Sequence, residues 1–439
     1  MTHLFYLYRL LYLNHISIEQ MSNTHRQRLL LISHHNSYRI APYIKAAIKL
    51  GLEVTIASEG KHSLVSEVAN GLHIDFSDIS QAVETITTEH QRHPFAGILG
   101  SDDQTVEIAA STARVLGLPH NPPEAAQYSH RKDLARAQLA QAGCPVPSHR
   151  LFDLENRSGQ PTEKQLTDLP WPCVLKPLNM TASRGVIRAD NEEEFIAAVE
   201  RVRDIVATAS GEFEQQHLLI EEYIDGIEIA YEGYLRHGEL HTVTIFDKPD
   251  PLTGPYFEET IYVTPSGLPE ALQENIKQVL QAACRTYGLE TGVIHAECRI
   301  DKDDKVWILE IASRTIGGDC ARMLDNENFG IEELAISLAI DAPIDVSMPE
   351  MARGVMMIPI RKPGLLKRVE GMLEAKRVEH IDSIDIIIPQ GHELVPLPEG
   401  NQYLGYIFAS AQTPEQATEA IRKAHEKLDF ITAPVFKIH

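Results

Sequence analysis

Two glutamates and an arginine carry the clearest chemical signal in the chain. Residues 293–300 read Val-Ile-His-Ala-Glu-Cys-Arg-Ile, a polar cluster fills 301–305, and 306–314 read Val-Trp-Ile-Leu-Glu-Ile-Ala-Ser-Arg. Apolar and β-branched runs on both sides of an Asp/Lys cluster predict a hairpin. In its first strand Ile294, Ala296, Cys298 and Ile300 share one face, and His295, Glu297 and Arg299 share the other. A loop over 302–305 pairs Asp301 with Val306, and therefore Glu297 with Glu310. Opposed carboxylates repel, and nothing in the strand itself compensates them. A hard cation between them removes the penalty, and magnesium is commonly held by one or two carboxylates plus substrate phosphates. The plain alternative is a solvated hairpin whose register differs by one residue. Arg314 follows Glu310 by four residues and leads into Thr315, Ile316, Gly317 and Gly318. A guanidinium there suits an oxyanion or phosphoryl group, and the glycines allow close backbone approach; an exposed turn arginine is the bland reading.

A second set of residues could hold the phosphates. Residues 172–177 form an apolar strand ending at Lys176, a loop of small and hydroxylated residues spans 179–185, and a strand resumes at 186–188. Backbone N–H groups of small residues can reach phosphate oxygens while the lysine supplies a point charge. The GxxxxGK[ST] loop is missing, and a lysine at a strand end is usually solvent-facing. Residues 218–225 read as a strand broken at Gly226, and 228–234 are strand-like again. Such an extended segment offers backbone donors and acceptors to a planar base, with Glu228 placed to accept from ribose hydroxyls; a plain edge strand is equally consistent. The loop 247–256 is long and proline-punctuated, a length often found in functional loops.

These residues need a scaffold. Strands at 29–32, 54–57 and 95–99, with helices at 40–50 and 104–116, predict βαβ alternation and a parallel sheet. No GxGxxG follows any strand, so a dinucleotide fingerprint is absent. Asn121-Pro122-Pro123 marks a boundary, after which helices are expected at 131–142, 192–207, 270–287 and 331–340. Strands at 354–360, 384–388 and 403–410 with a helix at 414–428 make a small α+β tail. At 439 residues the chain is too long for one core, and two to three domains are expected. Hydrophobic and charged contents of 43% and 23% fit an ordinary globular protein. The net charge of −22 disfavours nucleic acid and anionic membranes as partners, because non-specific affinity for phosphate backbones is electrostatic. Five cysteines without CxxC spacing point to reduced thiols in a cytoplasmic protein. The apolar stretch 4–13 is interrupted by Arg9 and too short to span a bilayer, and Met21 is the expected natural start.

The succession of these motifs is more specific than any one of them. Lys132 in a helix, Lys176 before a small-residue loop, Glu221-Glu222-Tyr223-Ile224 with Glu228, and Glu297, Glu310 and Arg314 together resemble the ATP-grasp superfamily over residues 25–430. The resemblance implies an N-terminal Rossmann-like parallel-sheet domain, an ATP-grasp fold of two α+β subdomains, and a small C-terminal α+β segment. The corresponding boundaries are a poorly ordered extension over 1–20, then 21–125, 126–342 with a lid over roughly 150–222, and 346–439. It further implies that Lys132 and Lys176 contact the ATP phosphates beneath a loop of Thr181, Ser183 and Gly185. Glu222, Tyr223 and Ile224 would hold the adenine, Glu228 the ribose, and Glu297 and Glu310 magnesium, with manganese as a substitute.

The run from Glu310 to Gly318 and the tail 354–360 are similar to the L-amino-acid ligase branch, in which Glu259 and Tyr262 would line the substrate pocket and Arg314 would be catalytic. Two positions depart from that pattern: Ala312 stands where many members carry an asparagine, and Tyr262 where a histidine is common. The implied activity is ATP-dependent ligation of small-molecule carboxylates and amines through an acyl phosphate, in a chain compatible with a homodimer. Carboxylase or carbamoyl-phosphate-type chemistry on the same fold, and a non-catalytic ATP-binding regulator, are the alternatives.

Overall fold

The computed structural model describes residues 26–59, 70–154, 161–209, 211–343 and 345–435; the expected N-terminal extension and the Met21 start lie outside them. Strands β1 (Arg28–Ile32), β2 (Glu53–Ser58), β3 (Asn70–His73) and β4 (Phe95–Gly100) pair in parallel in the order β3-β2-β1-β4. Leu29, Leu30, Leu31 and Ile32 are fully buried, which explains an unbroken apolar run instead of alternation. Helices Ile40–Lys49, Ile79–Arg92 and Asp103–Leu116 complete this layer. The last opens on a capping box between Asp102 and Thr105 and closes on Gly117 in the left-handed region, so it presents Asp102 and Asp103 at the carboxyl edge of the sheet. Neither β3 nor the helix Ile79–Arg92 was foreseen: β3 has no apolar run, and the helix, though amphipathic, is polar on average and buries just Ala82 and Ile86.

The next layer is antiparallel: β5 (His149–Asp153), β6 (Cys173–Pro177), β7 (Ile187–Ala189) and β8 (His217–Glu222), in the order β5-β8-β6-β7. β8 is an interior strand, which rules out the edge-strand reading of 218–222. Helix Glu192–Val206, capped by the Asn191 side chain, packs Phe195, Val199 and Val202 against this sheet.

Strands β9 (Ile227–Arg236), β10 (Glu239–Asp247), β11 (Ile261–Thr264), β12 (Gly292–Ile300) and β13 (Val306–Ala312) begin the main sheet. They are followed by β14 (Ala352–Ile358), β15 (Gly364–Glu370), β16 (Ile381–Ile386), β17 (Glu393–Leu394), β18 (Gly405–Ala411) and β19 (Asp429–Ala433). The main sheet has eight strands in the order β13-β12-β9-β10-β11-β14-β18-β16, so C-terminal strands extend the sheet that carries β12, and only β17-β15-β19 stand apart. The helix Glu270–Tyr287 buries Ile276, Leu280 and Cys284 among Ile294, Ala296, Cys298 and Ile300, the apolar face of β12. That packing turns His295, Glu297 and Arg299 to the opposite face, into a cleft bordered by the N-terminal layer, the antiparallel layer and the C-terminal strands. Among the described residues no helix is long and apolar enough to cross a membrane.

Candidate active site

Glu297 and Glu310 do face each other, but by a route different from the expected one. The turn is one residue longer: Ile300, not Asp301, pairs with Val306. Continued unbroken, that register would put Leu309 opposite Glu297. A bulge between Ile308 and Glu310 makes Leu309 the extra residue and restores the pairing of the glutamates. Arg136, on helix Lys132–Gln141, holds the bulge by donating to the carbonyls of Ile308 at 2.9 Å and Leu309 at 2.7 Å. The same guanidinium donates to Glu221 Oε1 at 2.6 Å, and Glu221 Oε2 receives Lys176 Nζ at 2.6 Å. Burial opposes charge on Glu221, yet Arg136 and Lys176 outweigh it and pull its carboxyl down to about 2. A rigid chain of contacts thus joins the lysine of β6 to the backbone beside Glu310. Lys132 adds a second link, donating to the Met180 carbonyl at 2.9 Å and lying 3.4 Å from Glu310.

The glutamates also have compensating partners that the strand pattern did not reveal. Across from β12, β9 places Glu232 beside His295, Ala230 beside Glu297 and Glu228 beside Arg299. His295 Nδ1 lies 3.1 Å from Glu232 and its Nε2 3.7 Å from Glu297; Glu232 also accepts the amide of Ile316 at 3.0 Å. Burial disfavours a charged His295, but the bonds to Glu232 and Glu297 prevail and raise it to about 9. Lys248, just past β10, brings its ammonium to Glu228 at 2.8 Å, Glu297 at 3.3 Å and Glu259. The carboxylates of Glu228, Glu259 and Glu297 converge within 4.8 Å, an acidic cluster that could hold a cation and that includes Glu297 but not Glu310. Burial pushes Glu259 up to about 7, whereas Lys248 and His295 hold Glu297 well below the usual carboxylate range against its burial.

Several expected roles meet a different setting. Glu228, expected at the ribose, is nearly buried and paired with Lys248 and with Arg299 Nε at 2.9 Å. The Ile224 carbonyl accepts Arg299 Nη1 at 2.7 Å, which leaves one of its lone pairs for a further donor. The Glu222 amide donates to the Ser148 carbonyl and the Tyr223 amide to that of Pro172, while the guanidinium groups of Arg188 and Arg299 lie over the Tyr223 ring, at 4.0 and 5.0 Å from its centre. Thr181 and Ser183 lie in the loop that roofs the cleft, with Ala182 at φ 54° and Ser183 at φ 54°. Gly185 is not free for a phosphate: its amide donates to the Pro398 carbonyl at 2.9 Å. Its φ of 74°, and a would-be Cβ 2.7 Å from Pro177, make it a turn residue.

Tyr262 donates to Glu259 at 2.6 Å, which places both on one wall of the cleft. Arg314 reaches the cleft but is held in bidentate fashion by Asp103, at 2.9 and 2.7 Å, across the boundary with the N-terminal layer. Lys248, Glu232, Arg136 and Asp103 were missed as site residues. Only Lys248 had a signal, its place in the long proline-punctuated loop.

Comparison with known proteins agrees with this architecture. A family model described as an ATP-grasp domain matches residues 169–323, an ATP-grasp N-terminal domain matches 44–120, and an L-amino acid ligase C-terminal domain 2 matches 356–433. The chain is 28% identical to the alanine–anticapsin ligase of Bacillus subtilis over 54% of its length and 52% of that protein's, so the match spans about half of that relative. It is 21% identical to the protein y4rH of Sinorhizobium fredii over 83% of this chain and 74% of the other. A crystal structure of an L-amino acid ligase from Bacillus licheniformis superposes with a TM-score of 0.79 at 24% identity, covering 93% of this chain and all of that one, a likeness in fold. With opposed carboxylates and a lysine-bearing hairpin lining one cleft, and with these three domain matches, the chain carries an ATP-grasp domain over residues 169–323 and resembles the L-amino-acid ligase branch of ATP-grasp ligases.

Proposed function

We propose that the protein joins amino acids, or similar small carboxylates and amines, in the cytoplasm by ATP-driven formation of an acyl phosphate. The observation that carries this reading is the pairing of Glu297 with Glu310 on a face linked, through Lys132 and through Arg136–Glu221–Lys176, to the loop over the phosphates. Hard, partly exposed carboxylate oxygens at Glu297 and Glu310 fit magnesium or manganese. Bound there, such an ion would neutralise phosphate charge and polarise the transferring phosphoryl group.

The chain's own residues supply the rest, mainly by position and charge. Lys132 and Lys176 hold the phosphates, and the loop bearing Thr181 and Ser183 excludes water above them. Glu222, Tyr223 and Ile224 take the adenine. A carboxylate oxygen of the first substrate attacks the γ-phosphorus as the bond to ADP breaks. The amine nitrogen of the second then attacks the acyl carbon, phosphate leaves, and the nitrogen sheds a proton to give the amide. Arg314 stabilises the transferring phosphoryl group or the tetrahedral oxyanion, and Glu259 with Tyr262 shapes the substrate wall.

The test is an ADP-release screen over pairs of amino acids, with product mass measured and with bicarbonate added or withheld. ADP and an amide product from at least one pair are expected. Release that needs bicarbonate, or ATP binding without turnover for every pair, would overturn the ligase reading in favour of a carboxylase or a non-catalytic nucleotide binder.

A further inference from the structure

The loop over the phosphates is gripped by a segment far away in the chain. Residues 396–400 make a tight turn between β17 and β18, closed by the Gly400 amide on the Pro396 carbonyl at 2.8 Å. A Cβ at Gly400 would lie 1.9 Å from the Val395 carbonyl oxygen, so only glycine permits this turn. The turn presents two carbonyls to the phosphate loop: that of Pro398 accepts the Gly185 amide at 2.9 Å, and that of Glu399 accepts Arg184 Nε at 2.9 Å. The Glu399 carboxylate faces the other way and takes the Arg201 guanidinium in a fork, at 2.5 and 2.9 Å. Arg201 belongs to helix Glu192–Val206, which backs the antiparallel sheet. Arg201 also donates to the Tyr256 hydroxyl and covers that ring, and Tyr256 bridges Ile187 at the edge of the same sheet.

We infer that Arg201 and Glu399 are positioning residues for the nucleotide: their ion pair clamps the turn 396–400 onto the phosphate loop and keeps residues 181–185 in a phosphate-ready conformation. The inference rests on the nucleotide reading above. Ala182 and Ser183 both have positive φ, a conformation that persists in L-residues only where surrounding contacts impose it. Inside the loop the Arg184 amide donates to the Thr181 carbonyl at 3.2 Å and the Val186 amide to that of Ser183 at 3.1 Å, and the Gly185 and Arg184 bonds to the turn 396–400 fix this folded loop in place. The turn also runs directly into Asn401, Gln402 and Tyr403, which line the cleft. The roof over the phosphates and the far wall of the substrate cleft are therefore one mechanical unit. The pair is half-exposed, so its effect on global stability is small, while its effect on the loop that the turn holds is direct.

The experiment uses the full chain, with magnesium-ADP as the probe, in wild type, Arg201→Glu, Glu399→Arg and the double charge reversal. Calorimetry gives affinity, and hydrogen exchange follows the amides of 181–185. Each single reversal is expected to weaken magnesium-ADP binding roughly five-fold, the upper range for an exposed pair, and to speed exchange in the loop while Tm stays near that of wild type. The double variant should return affinity and exchange to within about two-fold of wild type. Singles that bind like wild type, or a double that fails to restore both readouts, overturn the clamp. If wild type itself does not bind magnesium-ADP, the nucleotide reading and the clamp fall together; normal binding with indifferent variants removes only the clamp.

Discussion

Lys248 carries its ammonium into the middle of three carboxylates, and burial alone would depress its proton affinity. Glu228, Glu259 and Glu297 more than offset that, and hold it charged well above its ordinary value. In effect an ammonium compensates part of the acidic surface that a divalent cation would also compensate. Lys248→Met should therefore cost about 3–5 kcal/mol of apo stability, because it leaves buried negative charge without its partner. Added magnesium should then recover more Tm in the variant than it adds in wild type. Equal magnesium gains in a thermal-shift titration would mean that Lys248 and the cation act on different charges. Tyr262 belongs to the same scale. It is buried at 2% exposure and donates to Glu259, so Tyr262→His changes a wall of the pocket and not its phosphate chemistry. Relative rates across an amino-acid panel should shift by about 1–3 kcal/mol of discrimination. A uniform scaling of all rates would remove Tyr262 from the substrate wall.

At the scale of elements, the alternation in β12 was legible because period-2 patterning needs only neighbours in sequence. It separated His295, Glu297 and Arg299 from the apolar face without any tertiary information. The bulge at Leu309 was not legible, since what stabilises it is Arg136, 172 residues from the Ile308 carbonyl it holds. The parallel strands β1, β2 and β4 were visible as apolar runs, while β3, with a largely exposed Asn-Gly-Leu-His sequence, left no such trace.

The link from Arg136 through Glu221 to Lys176 has a pH signature. The folded-state value of Glu221, about 2, lies below its ordinary 4.5. Its stabilisation is therefore complete above pH 4.5 and is lost as pH falls from there towards 2, with a total of about 3 kcal/mol. Glu221→Gln leaves Arg136 and Lys176 without their counter-charge, so its Tm should be well below wild type at pH 7. The gap should narrow steadily between about pH 5 and pH 3 as wild type loses the same interaction. Thermal unfolding at a series of pH values checks this, and a gap that stays constant would show that the Glu221 charge is not what holds the three residues together.

On the scale of the whole molecule, the N-terminal layer grips the site at the turn after β13. Arg39 donates to the Thr315 hydroxyl at 2.6 Å and to the carbonyls of Thr315 at 3.3 Å and Ile316 at 3.0 Å, while Asp103 holds Arg314. Sequence could not disclose these contacts, because Asp103 and Arg314 are 211 residues apart and no periodicity connects them. The two contacts differ in kind and should separate by experiment. Arg39 satisfies buried backbone and hydroxyl oxygens, so Arg39→Met should destabilise the fold by about 1–3 kcal/mol whatever the substrate. Asp103 orients a guanidinium whose expected target is a transferring oxyanion. Arg314→Lys, which replaces a planar fork with a point charge, should lower kcat by about 10²–10³ for every substrate pair. Asp103→Asn keeps the shape of the contact and removes only its charge, so it should lower kcat far less than Arg314→Lys and leave the order of preferred amino acids unchanged. Steady-state ADP release for the three variants over one panel decides the matter. If Arg314→Lys merely reorders substrates, Arg314 lines a specificity pocket. If Asp103→Asn is as damaging as Arg314→Lys, the ion pair itself, and not a guanidinium presented to the phosphoryl group, is what the chemistry needs.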